Sequence, residues 1–273
     1  MVLFLGVAHV KGISSPLNRA FSNVSASELQ IPDIARRARK MPAGVVQFTV
    51  QGTYAPFLAG LHYTRFLLGS PPLEFRVQID TDSEISWVSC ASCNGCPLSS
   101  GFLFHLQFFN PQGSSTSSFI PCSDHRCASH NPGCSSSNNL CKYNITYGDG
   151  GETAGYYIAD NIHLDMINGN KYASSVIPIV FGCSTYQLGY FAQSNLALDG
   201  IFGFNRNKMS IISQLSSEGV ISKVFSHCLK EGEGSFFVLG EAIGLNLMWT
   251  PLAPHKASKS TAWRTDVQHG RTV

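Results

Sequence analysis

Residues 75–90 (FRVQIDTDSEISWVSC) constrain the fold more than any other stretch of the chain. Val77 and Ile79 alternate with polar neighbours, the period of a half-buried strand. Asp80, Thr81, Asp82 and Ser83 then make a tight polar turn, and Ile85, Trp87 and Val88 resume the apolar pattern. Strand, turn and strand together put the Asp80 carboxylate at the rim of an apolar core, where burial and neighbouring groups set its proton affinity. A lone Asp on a turn commonly does no more than cap its own backbone. A chemical role for Asp80 therefore needs support from elsewhere in the chain.

The surroundings are those of an all-β protein. Residues 45–50 (VVQFTV) alternate, residues 62–68 (HYTRFLL) form a second strand, and the turn 69–72 (GSPP) leads into the Asp80 strand. Residues 142–146 (KYNIT) run through Tyr147 into a Gly-rich tip at Gly148, Asp149 and Gly150 and return through Tyr156 and Tyr157, which reads as a hairpin. Residues 176–183, 225–229 and 235–240 read as further strands. Only 209–215 (MSIISQL) has helical spacing, with Gly219 as its stop. The chain is 44% hydrophobic and 13% charged, which suits a core-forming, turn-rich domain. A net charge of +2 gives no basic field for nucleic acid, and no apolar run reaches the ~18 residues of a membrane span.

Cysteines set the compartment. Seven of the nine, Cys90, Cys93, Cys96, Cys122, Cys127, Cys134 and Cys141, crowd into residues 90–141, and Cys183 and Cys228 follow. Two C-x-x-C steps with His125 and His130 downstream offer enough thiolate and imidazole for a metal. An iron–sulfur site would want Cys at position 100, where Ser100 stands. The loop-rich setting favours disulfides among all nine, with no metal and no cofactor, and the odd count leaves at least one thiol over. Asn23 and Asn144 head glycosylation acceptor triplets, relevant if the chain enters the secretory pathway.

The termini differ from the middle. Residues 1–43 read as a leader and pro-like segment, with a weak signal-peptide run at 2–8 and a basic cluster at 35–40. Residues 44–254 form the folded lobe. Residues 255–273 are polar and basic without strand alternation, and are expected to be a disordered tail.

Residues 80–83 followed by an apolar-Trp-Val run resemble the first catalytic loop of pepsin-like aspartic proteases, which reads Asp-Thr-Gly-Ser. The likeness extends through residues 199–204 (DGIFGF) to 249–254 (WTPLAP) and is nearest the plant, Cys-rich, nepenthesin-like branch, which carries a disulfide-stapled insertion where residues 90–141 lie. It implies an N-terminal lobe with Asp80 as the water-binding carboxylate, Ser83 as its hydrogen-bond donor and Thr81 as the contact to a second lobe. Tyr147, Gly148 and Asp149 would form the flap over substrate, with Trp87 supporting Tyr147. Two departures stand out: Asp82 replaces the Gly of the loop, adding bulk and like charge, and Gly151 stands where relatives usually have Ser, which would loosen the flap.

Such enzymes need two carboxylates, one ionised to activate water and one protonated to polarise the scissile carbonyl. Of the nine Asp residues only Asp80 has an Asp-Thr context, and past residue 200 the sole Asp is Asp266. The resemblance therefore implies a truncated acid endopeptidase, inactive as a single chain, in the secretory route, extracellular or vacuolar, with a peptide or protein as substrate. A local Asp80–Asp82 dyad is not expected, because residues i and i+2 on a turn rarely converge on one water. A binding or inhibitory protein reusing the fold, as in the xylanase-inhibitor relatives, and a homodimer with one Asp80 from each copy are the alternatives. His227 beside Cys228 reads as a structural His. The apolar strand at Phe236, Phe237, Val238 and Leu239 is expected to be an exposed edge prone to self-association.

Overall fold

The computed structural model describes residues 2–6, 44–52, 61–102, 104–127, 133–168, 171–229, 235–241, 249–250, 252–254 and 263–265. In chain order the strands are β1 (Val2–Gly6), β2 (Val45–Gly52), β3 (His62–Leu68), β4 (Leu73–Asp80), β5 (Trp87–Asn94), β6 (Ser118–Phe119), β7 (Lys142–Thr146), β8 (Glu152–Asn168), β9 (Lys171–Leu188) and β10 (Gly200–Gly203). The helix α1 (Ile211–Ser217) precedes β11 (Phe225–Leu229), β12 (Ser235–Leu239), β13 (Trp249–Thr250), β14 (Leu252–Pro254) and β15 (Trp263–Thr265). The architecture is all-β with one short α-helix among the described residues. Alternation of buried and exposed residues in β3 shows the period that the sequence carried.

The chain divides into two compact units. The first comprises residues 1–62, 165–174 and 216–273, and the second residues 63–164 and 175–215.

In the first unit β12 pairs antiparallel with both β11 and β2. It is therefore an interior strand: Phe237 and Leu239 are fully buried and Val238 nearly so. The exposed edge expected at residues 236–239 is not there. β11 and β2 satisfy its backbone on both sides, and its apolar side chains fill the core with Val45 and Ile167. β1, in the segment read as a leader, pairs parallel with β11. Within the tail expected to be disordered, β15 pairs antiparallel with β14, as the extended-favouring Trp263 and Thr265 allow.

The second unit carries the motifs. β10 runs parallel to β4 and antiparallel to β5, so it threads between the two arms of the Asp80 loop. β5 pairs parallel with β9, and β7 and β8 form an antiparallel hairpin. Trp87, Ile85, Tyr143, Tyr157, Val180 and Ile201 lie in one buried cluster. The starting residues of α1 are buried, and Gln214 fixes the helix to β9 by accepting from Val180 N at 2.7 Å and donating to Val180 O at 2.8 Å. Gly219 stops the helix in a left-handed conformation, φ 71°.

Four disulfides join Cys90 to Cys183, Cys93 to Cys96, Cys122 to Cys134 and Cys127 to Cys141. The first ties β5 to β9 inside the core, and the last two close the insertion before the hairpin. Sulfur atoms of Cys122, Cys127 and Cys134 gather within 4.8 Å of one another, yet all are bonded as disulfides and none is a thiolate ligand. The side chain of Cys228 lies outside the described residues. The denatured, unreduced chain is expected to expose a single reactive thiol, on Cys228, when alkylated and mapped by mass spectrometry. Alkylation at any of the other eight cysteines would contradict the pairing.

Candidate active site

The site is built on the β4–β5 loop. Asp80 ends β4 beside Gly203 of β10, and Phe204 N donates to Asp80 O at 2.9 Å. β10 can come this close because position 203 has no Cβ: one placed there would lie 2.7 Å from Ser83 O. Ser86 Oγ accepts from Gly203 N at 3.0 Å and fixes the approach.

Both carboxylate oxygens of Asp80 are engaged. Oδ1 accepts from Asp82 N at 2.9 Å, and Oδ2 accepts from Ser83 Oγ at 2.6 Å. The first bond is the Asx turn that the sequence offered as the plain alternative; the second takes the carboxylate into a longer chain. Tyr147 Oη lies 3.3 Å from Ser83 Oγ and accepts from Trp87 Nε1 at 2.9 Å. Ser83 has one proton and gives it to Asp80, so the phenol hydrogen fills the contact to Ser83. The result is an indole–phenol–hydroxyl–carboxylate relay from a buried Trp to a half-buried Asp. Burial pushes the Tyr147 phenol well above its ordinary range, so it stays protonated and able to donate.

Tyr147 ends one arm of the β7–β8 hairpin. The tip is closed by Tyr147 N to Gly151 O at 2.8 Å, Gly150 N to Tyr147 O at 3.1 Å and Gly151 N to Asp149 Oδ1 at 2.9 Å. Gly148 and Asp149 are exposed there. Phe191 stands edge-on to Tyr147 at 4.9 Å and to Trp87 at 5.2 Å. Gly151 makes that packing possible, since a Cβ on it would meet the Phe191 ring at 2.6 Å. The expectation that Gly151 loosens the hairpin is corrected: the missing side chain is the space that Phe191 occupies.

Asp82 keeps the hydrogen bonding of its own loop. Its side chain is exposed, its φ is not positive, and its amide serves Asp80. Partial desolvation, then the Asp80 and Glu84 carboxylates, raise its proton affinity. Two residues that the sequence did not single out hold this loop from outside. Asn205, which is buried, donates from Nδ2 to Asp82 O at 2.8 Å and from N to Ser83 O at 3.1 Å, and Asn207 Nδ2 donates to Glu84 Oε2 at 3.0 Å. Asn205 and Phe191 lie in irregular segments, where periodicity carries no signal. A pocket lined by Gln78, Trp87, Tyr190, Phe191, Leu196 and Ile201 opens beside the hairpin contact.

A β-strand Asp turn threaded by a second strand and faced by a hairpin Tyr defines the class of pepsin-like lobes. The family described as xylanase inhibitor N-terminal matches residues 62–241. Aspartic proteinase 36 of Arabidopsis thaliana is 37% identical over 234 residues, covering 84% of this chain and 48% of that protein. Aspartic proteinase nepenthesin-1 of Nepenthes gracilis is 31% identical over 234 residues, covering 81% of this chain and 47% of that protein. The crystal structure of basic 7S globulin from soybean superposes with a TM-score of 0.61 at 19% identity, over 81% of this chain and 58% of that one, a likeness of fold. The chain belongs to the plant pepsin-like aspartic proteinase family, in its nepenthesin-like branch, and corresponds to the N-terminal lobe. It spans about half the length of the curated relatives it matches.

Proposed function

We propose that this chain is an aspartic-endopeptidase lobe in which Asp80 is one half of a two-carboxylate site for peptide-bond hydrolysis in acid. The observation that carries the reading is the relay Trp87–Tyr147–Ser83–Asp80. In it, Asp82 N and Ser83 Oγ donate to the two oxygens of the Asp80 carboxylate and fix its orientation towards a water that attacks the scissile carbonyl. Tyr147, Gly148 and Asp149 act as the flap, Trp87 and Phe191 support Tyr147, and Thr81 meets the second lobe. Four disulfides fit an oxidising, secretory compartment, extracellular or vacuolar.

One carboxylate performs half of the chemistry. A second carboxyl group must protonate the carbonyl oxygen, and the 273 residues contain no Asp-Thr-Gly or Asp-Ser-Gly and no second Asp-Thr pair. The purified chain alone is therefore expected to show no pepstatin-sensitive cleavage in acid beyond that of Asp80→Asn. Refolded with the C-terminal half of aspartic proteinase 36, it should acquire such cleavage, and Asp80→Asn should abolish it. Pepstatin-sensitive cleavage by a verified monomer, lost in Asp80→Asn, would overturn the half-site argument. A failure of the reconstituted pair to cleave, with both halves folded, would overturn the endopeptidase reading.

The description of the matched family favours one second reading, a binding lobe that holds a glycosidase without turnover. Capture of a xylanase by the chain, unchanged in Asp80→Asn, would mark that outcome.

A further inference from the structure

We propose that Asn144 carries an asparagine-linked glycan on the outer face of the β7–β8 hairpin. The inference rests on the secretory reading above, which places the chain where such glycans are attached. Asn144, Ile145 and Thr146 supply the acceptor triplet, with the hydroxyl two residues after the amide. The strand register decides which way it faces. On the inner face Tyr143 pairs with Gly155 and Ile145 with Thr153, and Tyr143 and Thr153 are buried. On the outer face Lys142 pairs with Tyr156, Asn144 with Ala154 and Thr146 with Glu152. Both Asn144 and Thr146 are exposed.

The neighbours of Asn144 make room for a sugar chain. The residue directly across from Asn144 is Ala154, the smallest side chain on that face, so nothing crowds the amide. β7 pairs only with β8 among the described strands, and its other side is met at its start, where Lys142 N donates to Gly133 O at 2.9 Å. Tyr156 lies one diagonal step away and is held off Asn144 by its own contacts, with the Lys142 ammonium over its ring at 5.7 Å and Phe119 edge-on at 6.1 Å. Tyr147 continues the inner-face parity of Tyr143 and Ile145, so glycan and candidate active site lie on opposite sides of the hairpin. The modification leaves the relay to Asp80 untouched and bulks the back of the flap.

The transfer needs a host transferase and a polyprenyl-diphosphate-linked oligosaccharide. The amide nitrogen of Asn144 attacks the anomeric carbon, a C–N bond forms, and the C–O bond to diphosphate breaks. Polyprenyl diphosphate leaves with the electron pair, and the amide nitrogen gives up one proton to the transferase.

The full chain, expressed in plant cells behind a cleavable secretory leader, is digested and the Asn144 peptide read by mass spectrometry. Release by peptide N-glycosidase in ¹⁸O water converts a glycosylated Asn to labelled Asp. Labelled residue 144 in most copies is expected, with loss of label in Asn144→Gln and Thr146→Ala and its retention in Thr146→Ser. An unlabelled Asn144 in secreted, disulfide-bonded chain would overturn the proposal whatever happens at Asn23. The same chain without the added leader tests the compartment separately: retention in the cytosol with free thiols counts against the secretory reading, while the leader-driven sample still decides Asn144.

Discussion

Phe237→Asp is expected to abolish folding of the first unit. Phe237 is completely buried in β12, stacks on Phe225 with ring centroids 5.3 Å apart, and pairs across the sheet with Phe48. Removing a buried Phe costs about 3–5 kcal/mol. Placing a carboxylate in the space adds a desolvation cost of several kcal/mol more, because its one titratable partner in the sheet register, His227, is kept neutral by burial down to about 4. Together these match or exceed the ~5–15 kcal/mol that holds a typical domain folded. The variant should lose hydrogen-exchange protection in β2, β11 and β12 while residues of the second unit keep theirs. Thr49→Asp, at an exposed position on β2, is the control and should change stability by no more than ~0.5 kcal/mol. A Phe237→Asp chain protected like the wild type would mean that β12 is a free edge in solution and would restore the self-association expectation.

That strand also shows where sequence reasoning stops. The pattern at residues 235–239 gives a strand with an apolar face, and that much is present in the structure. Whether the strand lies at an edge depends on its two neighbours, β2 and β11, the first of which is remote in sequence, and strand periodicity says nothing about remote pairing. The Asp80 loop was legible for the opposite reason. Its strand, turn and strand are contiguous, so one window of sequence contains the alternation, the turn chemistry and the Trp.

The hairpin was legible up to its supports. Tyr143, Ile145 and Tyr147 alternate, and Gly148 and Gly150 mark the tip. Phe191 was missed because it enters through a 3-10 turn, residues Gly189–Ala192, far along the chain. Asn205 was missed because its work is done by a side-chain amide reaching a carbonyl 123 residues earlier. At Asp82 the like charge foreseen in the sequence is present, since the Asp80 and Glu84 carboxylates help to raise its proton affinity, while its amide serves Asp80.

Acid is expected to strengthen the second unit and weaken the first. Asp199 is fully buried, and burial pushes its carboxyl up to about 6 from 3.8, against hydrogen bonds from Arg76 N and Gln107 N. A raised carboxyl means that the folded chain holds a proton that the unfolded chain has released between those two values. This stabilisation is complete below 3.8 and disappears as pH rises through about 6. Its size is on the order of 3 kcal/mol. His227, in the first unit, is displaced the other way: burial, then the neighbouring His62, bring it down to about 4 from 6.5. A depressed His contributes stability above 6.5 that is lost as pH falls through about 4, again on the order of 3 kcal/mol. Hydrogen exchange corrected for intrinsic rates separates the two units. Between neutral pH and about 4, protection should rise at β4 and β10 and fall at β11. Asp199→Asn should flatten the first trend and His227→Phe the second. The slope is the readout, because Asn at 199 also turns a donor towards one of two backbone amides and costs ~1–3 kcal/mol at every pH. Parallel pH trends in both units, or a slope at β10 that survives Asp199→Asn, would show that other groups govern the acid response.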